Sequence, residues 1–190
     1  VTDNLAEFLA KNPQKQIKIT EWKHSDFEDD LVRVKEHRNF AEGKLLFTAL
    51  GCVQCHKLSK NDMSPLASAA GGFRRSVGPD IDESVKKYKH DPKALLLEIL
   101  ESSRNIDKKY RQTILQLDDG TVHTGIIVSE DDAQLTILTG SPAKEQSIAK
   151  KTIDARGDSP LSIMPAGLLN TLDKEQILDL LAYLLSGGNA

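Results

Sequence analysis

The sequence predicts a mainly α fold that carries a small antiparallel β unit ahead of its last loop and helix. Three observations predict it. Segments opening at Asn39, Asp91 and Asp173 each join a helix-capping residue to apolar side chains at helical spacing. Between Thr113 and Ile153 the chain turns to Ile, Val, Leu and Thr runs broken by acidic and glycine turns. Both cysteines fall in one pentapeptide, Cys52-Val53-Gln54-Cys55-His56, directly after the first helical segment. The 190 residues suffice for one domain or two small ones. A net charge of -3 and 5% aromatic residues exclude the basic field and stacking platform of a nucleic-acid binder. No run approaches the ~18 apolar residues of a membrane-spanning helix.

Residues 1–38 read as an N-terminal extension, which begins at Val1 without a leader and so suggests a mature form or an excised domain. Thr2 to Ala10 is helix-like and Gln16 to Thr20 alternates. Ser25 with Glu28 suggests a capping box for a charged helix to about His37, with Trp22 and Phe27 anchoring the arm. A second role for Trp22, against a cofactor, stays open. Asn39 with Glu42 then caps a short helix whose Phe40, Gly43, Leu46, Phe47 and Leu50 share a face and which ends at Gly51.

That helix delivers the chain into the C-x-x-C-H pentapeptide. Two thiols three positions apart on one tight turn can reach both vinyl groups along one porphyrin edge and form thioethers, and the adjoining imidazole of His56 can ligate the iron. The rival readings have less behind them. A thioredoxin-like pair wants a βαβ context. A zinc site needs four ligands, and His24, His37, His56, His90 and His123 supply no second pair at ligand spacing. A disulfide within four residues constrains little. The expected cofactor is one covalent haem c, with its iron.

From Lys57 to Val77 the Ser, Ala and Gly content reads as an exposed loop in which Arg74-Arg75 is solvated or approaches a haem propionate. Asp91 and Pro92 open the next helix, with Leu95, Leu96, Ile99 and Leu100 as its stripe. The strands are expected at Thr113 to Leu117, Thr121 to Val128, Ala133 to Thr139, and Glu145 to Ile148 with extension to Ile153. Asp119-Gly120 is a hairpin signal. This unit reads as a docking surface, a haem-edge cover or a simple lengthening of the distal loop. Finally Asp173 and Gln176 open a helix with Ile177, Leu180, Leu181 and Leu184 on one face, stopped by Gly187-Gly188.

Three helices around a C-x-x-C-H turn resemble a class I cytochrome c, in which first and last helices cross through a glycine and aromatic contact, here Gly43 and Phe47 against Tyr183. The resemblance implies a cytochrome c fold of three or more helices around covalent haem, with Phe47 and Pro79 among the cofactor-binding residues. The Gly78-Pro79-Asp80-Ile81 turn implies that the Pro79 carbonyl accepts a hydrogen bond from the His56 ring. Asn39 to Gly188 is also similar to a haem-binding domain common in Planctomycetes and Verrucomicrobia, often the C-terminal part of dehydrogenase-like proteins. Its marks are Ser76-Val77-Gly78-Pro79-Asp80, the β unit, and Ser162-Ile163-Met164-Pro165-Ala166-Gly167-Leu168-Leu169. The implied organisation is an extension at 1–38, a core at 39–112 and 159–190, and a β insertion at 113–158.

Two methionines compete for the sixth iron position. Met164, framed by Pro160 and Pro165, is the better candidate, because it sits just ahead of the last helix, where the resemblance implies a distal methionine, and Pro165 biases it to extended geometry. Met63 follows His56 so soon that it would have to wrap the porphyrin edge at once. His56 and Met164 are thus the expected metal ligands, and such iron has no open position for substrate. The expected function is one-electron transfer from a dehydrogenase domain or partner to a further carrier, in the periplasm or another extracytoplasmic space, with no catalytic residues. The alternatives are a haem enzyme or gas sensor with an open distal site, or a binding module.

Overall fold

The computed structural model describes residues 19–58, 77–140 and 143–188. The helix-like stretch at 2–10, Met63, Arg74, Arg75 and Ser76 lie outside the described residues. Four α-helices are present among the described residues, α1 (Phe40–Ala49), α2 (Ile81–Lys87), α3 (Pro92–Leu100) and α4 (Lys174–Leu185), with five strands between α3 and α4. α2 is absent from the sequence reading. Its seven residues, Ile81-Asp82-Glu83-Ser84-Val85-Lys86-Lys87, bury only Ile81 and Val85, too few for a stripe to show.

The helical core is organised by the crossing of α1 and α4. At Gly43 an added Cβ would collide with the Asp179 carbonyl oxygen and lie 2.6 Å from the Tyr183 Cβ, so the two backbones touch where only glycine leaves room. The Phe47 and Tyr183 rings meet beside this point at 6.1 Å between centroids and 57° between planes, a tilted aromatic contact. The caps are interlocked as well. Asn39 Oδ1 accepts from the Glu42 N–H, but the Asn39 N–H donates to Asp179 Oδ1 on α4 rather than to Glu42, so the second half of the expected capping box comes from another helix. Glu42 instead accepts from Gln176 Nε2. On α4 the Asp173 and Gln176 box is complete in both directions.

The arm at 19–38 is not the expected charged helix. It forms two 3₁₀ turns, His24–Phe27 and Leu31–Lys35, and the first is opened by the Lys23 N–H donating to Asp26 rather than by Ser25 with Glu28. Asp30, between the turns, and Glu175, on α4, both bond across space. Asp30 accepts from Lys174 Nζ at 2.7 Å, and Glu175 receives Arg33 and Arg38, so the carboxyls of Asp30 and Glu175 are held below their ordinary range chiefly by Lys174 and Arg33 respectively. Trp22 donates through Nε1 to the Leu172 carbonyl and packs 5.2 Å from Phe27, which is fully buried in the helical core. His24 is half-buried, with Nε2 inaccessible, rather than part of a solvated charged face.

The strands β1 (Thr113–Leu117), β2 (Val122–Glu130), β3 (Gln134–Thr139), β4 (Lys144–Ala149) and β5 (Ile153–Asp158) form one antiparallel sheet in the order β4-β3-β2-β1-β5. The expected last strand is in fact two, separated by the turn Lys150–Thr152. β2 pairs with β1 through its first half and with β3 through its second. Register shifts between Ile127 and Ser129 and between Gln116 and Leu117 bend the sheet at those points. In the β1–β2 turn Gly120 takes a φ of 82°, and Asp119 Oδ1 accepts from both the N–H and the hydroxyl of Thr121. One apolar face of the sheet, Leu115, Leu135, Ile137 and Ile148, is its own core. The other face carries Ile126 and Leu138, which cluster with Val77 and Ala143 and pack against Cys55 and Ile163. The period-2 alternation along β3 makes this possible, since Ile137 and Leu138 point to opposite sides.

Gly43→Ala is expected to destabilise the fold by about 1–3 kcal/mol in urea unfolding, because overpacking against backbone outweighs the ~1 kcal/mol that Ala ordinarily gains over Gly in a helix. A stability gain would mean that the crossing has slack.

Candidate functional site

The site starts where α1 stops. Gly51, at φ 77°, turns the chain out of the helix, and the 3₁₀ turn Cys52–Gln54 follows at once. The Cys52 carbonyl accepts from both the Cys55 and His56 N–H groups, at 3.1 and 2.9 Å, so one short turn carries the two thiols and the imidazole. The chain from Cys55 to Leu58 is then laced to the start of α2. Gly78 donates to the Cys55 carbonyl, Ile81 to Lys57 and Asp82 to Leu58, at 3.0, 2.8 and 2.9 Å.

This lacing brings Pro79 against His56. His56 Nδ1 lies 2.8 Å from the Pro79 carbonyl oxygen, which can only accept, so Nδ1 carries the hydrogen and Nε2 the lone pair. Burial holds the imidazole below its ordinary pKa, with the Pro79 carbonyl and the Asp80 carboxylate offsetting part of that effect. A neutral imidazole with a fixed tautomer is what metal ligation requires. Gly78 makes this placement possible. A Cβ there would collide with His56 Cε1 and lie 2.8 Å from Nδ1 and 2.9 Å from Nε2. In the sequence Gly78 reads as a turn glycine, and its steric role toward His56 shows only in three dimensions.

Neither cysteine is in a disulfide, and both are half-buried. Burial pushes the Cys52 thiol up to about 11 and raises Cys55 in the same direction. A thiolate-based redox pair needs the opposite shift, so this turn does not favour that chemistry. Among the described residues no three His, Cys, Asp or Glu side chains converge to hold a metal ion, and the donor set for zinc is lacking there. The donor set fits covalent haem: two protonated thiols three positions apart on one turn, and an adjoining imidazole with its lone pair on Nε2.

The remaining predicted residues are distributed as follows. Phe47 is buried in the α1–α4 contact. Met164 is half-buried in the loop between β5 and α4. Its neighbour Ile163 packs against the same cluster of Val77, Ile126, Leu138 and Ala143 that Cys55 touches, so the Met164 loop and the cysteine turn border one apolar wall. A cleft of about 410 Å³ runs along that wall, lined by Val77, Gly78, Asp80, Ile126, Val128 and Leu138 among others. His90 is exposed, His37 is exposed, and His123 is half-buried on β2; none of them joins this site.

A family model described as Cytochrome c matches residues 40–137, just over half of the chain. The matched stretch includes Cys52, Cys55, His56 and Pro79 and stops short of Met164. No curated protein matches the chain.

Gly78→Ala is expected to cost about 1–3 kcal/mol in denaturant unfolding through overpacking against the imidazole. Gly157→Ala, where nothing lies within 4 Å of the added Cβ, is expected to stay within about 0.5 kcal/mol of the parent. Equal effects at the two positions would remove Gly78 from the site.

Proposed function

The chain belongs to the cytochrome c family, whose members bind covalent haem c with iron and transfer electrons, and from that premise we propose a one-electron carrier in which His56 and Met164 would hold the iron. The observation that carries the reading is the His56 ring, fixed through Nδ1 by Pro79 on the same short turn that bears both thiols. A bound haem would supply reversible one-electron exchange at its iron, and ligation by a methionine thioether would raise its reduction potential. Cys52 and Cys55 anchor the group through thioether bonds. Pro79 holds the imidazole plane and raises its basicity. Met164, on a loop stiffened by Pro160 and Pro165, would be the second protein ligand to the iron and would leave no iron position for a substrate.

The assignment of partners follows from that closed site. Electrons come from a dehydrogenase, fused or separate, and pass to a further carrier, in keeping with the resemblance to a haem-binding domain of dehydrogenase-like proteins. The location is extracytoplasmic, as is usual for domains of this family, and no helix among the described residues is long and apolar enough to cross a membrane. We read 39–112 and 159–190 as the haem-bearing core, and 113–158 as an insertion whose Ile126 and Leu138 belong to the apolar cluster against which Cys55 packs.

Haem should remain with the polypeptide through denaturation and acid-organic extraction, and Cys52→Ser with Cys55→Ser should release it. Met164→Ala is expected to abolish the weak iron–sulfur charge-transfer band, admit carbon monoxide to the ferrous protein and lower the potential, while Met63→Ala does none of these. Peroxide turnover by the parent on the order of 10 per second would replace electron transfer with a haem-enzyme reading.

A further inference from the structure

The loop that presents Met164 is held in an unusual way. Among the described residues, no backbone-to-backbone hydrogen bond involves 160–164. Pro160 and Pro165 have no N–H to give, so the loop depends on the groups of residues 161 to 164 and on side chains. Two of those side chains come from just beyond α3. Ser102 Oγ donates to the Met164 carbonyl at 2.9 Å, across 62 positions of sequence. Ser103 Oγ accepts from the Ser162 N–H at 3.0 Å, across 59 positions. Within the loop Ser162 Oγ accepts from the Met164 N–H at 3.1 Å. Both backbone polar groups of Met164 are therefore satisfied by hydroxyls, one directly from Ser102 and one through Ser162, which Ser103 holds in turn. At the loop's entry Ser159 is buried and exchanges hydrogen bonds with the N–H and carbonyl of Leu161, while Gln112 Nε2 reaches the same carbonyl at 3.4 Å.

The two clasping serines ride on a rigid support. α3 is anchored by Leu95 and Leu96, both buried in the helical core that also contains Ile177 and Leu181 of α4. Ser102 and Ser103 follow its last turn directly. The loop is thus pinned to the helical core on one side and, through Ser159 and Gln112, to the sheet on the other, where the Ser159 N–H donates to the Gln112 carbonyl at 2.8 Å.

We propose that Ser102 and Ser103 are positioning residues, a hydroxyl clasp that holds Met164 at the sixth iron position and sets how readily it leaves; this rests on the reading of Met164 as the axial ligand. An external ligand binds only when Met164 has swung away, so its apparent affinity reports the open fraction. Opening that breaks the clasp becomes easier when a serine hydroxyl is removed. A hydrogen bond worth ~1 kcal/mol corresponds to about a 5-fold larger open fraction.

The test uses the holoprotein and imidazole as the external ligand, followed by absorbance. Ser102→Ala is expected to raise the apparent imidazole affinity about 5-fold and Ser102→Ala with Ser103→Ala further, with Ser102→Thr, which keeps the hydroxyl, close to the parent. Hydrogen exchange across 159–165 should quicken in the same order, while far-UV circular dichroism stays unchanged. Met164→Ala run beside them separates the two readings. If it raises imidazole affinity and the folded double-serine variant does not, the clasp is wrong and the ligand assignment stands. If Met164→Ala leaves affinity and the charge-transfer band unchanged, Met164 is not the ligand, and the serines do not position one.

Discussion

The helical part is organised by the crossing at Gly43, where α1 lies so close to the Asp179 carbonyl and the Tyr183 Cβ of α4 that a side chain would not fit. Much else depends on it. The crossing fixes the direction in which α1 ends, and Gly51 in its left-handed conformation converts that direction into the start of the cysteine turn. A side chain at Gly43 would displace the helix axis and carry Cys52, Cys55 and His56 with it. The caps reinforce the same crossing, because Asp179 and Gln176 on α4 satisfy groups at the first turn of α1. The arm adds a second attachment to α4 through Asp30, Arg33 and Arg38; the Arg33–Glu175 pair is exposed and screened by salt, whereas Arg38 and Asp30 are largely covered. Packing at glycine, rather than charge, sets the geometry.

The same economy of space recurs at the site. Gly78 stands against the His56 ring as Gly43 stands against α4, and in both cases the missing side chain is what lets a functional element approach. The difference lies in what is being placed. At Gly43 it is a helix axis, and at Gly78 it is one imidazole whose tautomer the adjoining Pro79 carbonyl then decides. Burial acts on Cys52, Cys55 and His56 so as to favour the uncharged form of each, keeping the thiols protonated and the imidazole neutral. A turn that keeps its cysteines as thiols is poorly suited to exchange or to cation binding, and well suited to hold them for bond formation.

The features legible in the sequence were those encoded over a few neighbouring residues. Asn39, Asp91 and Asp173 cap helices because a short polar side chain ahead of an apolar stripe has few better uses, and each accepts an N–H of its own first turn. Thr113–Leu117 and the Asp119-Gly120 turn were legible for a similar reason. The charged arm is not a helix because the Ser25–Glu28 spacing that suggests a capping box is unused, and Asp30 and Arg33 bond to α4 instead, with Phe27, Leu31 and Val34 buried. α2 was missed because two apolar positions make no stripe. Gly78 and the Ser102–Ser103 pair were illegible for a different reason. Their partners lie more than twenty residues away, and a serine after a helix looks the same whether it meets water or a distant carbonyl.

The two faces of the sheet explain why it is more than an appendage in energetic terms. An isolated hairpin is marginal in water, and this unit escapes that limit by closing Leu115, Leu135, Ile137 and Ile148 into a core of its own. Having done so, it has Ile126 and Leu138 left on the opposite face, and these are covered by Val77, Cys55 and Ile163 rather than by solvent. Removing the sheet would therefore uncover apolar surface beside Cys55 and free the entry of the Met164 loop at Ser159 in a single step. The cysteine turn and the methionine loop share a wall that neither of them supplies. Ile126 and Leu138 of the sheet are part of that wall, so truncating either one loosens the packing of Cys55 and Ile163 together.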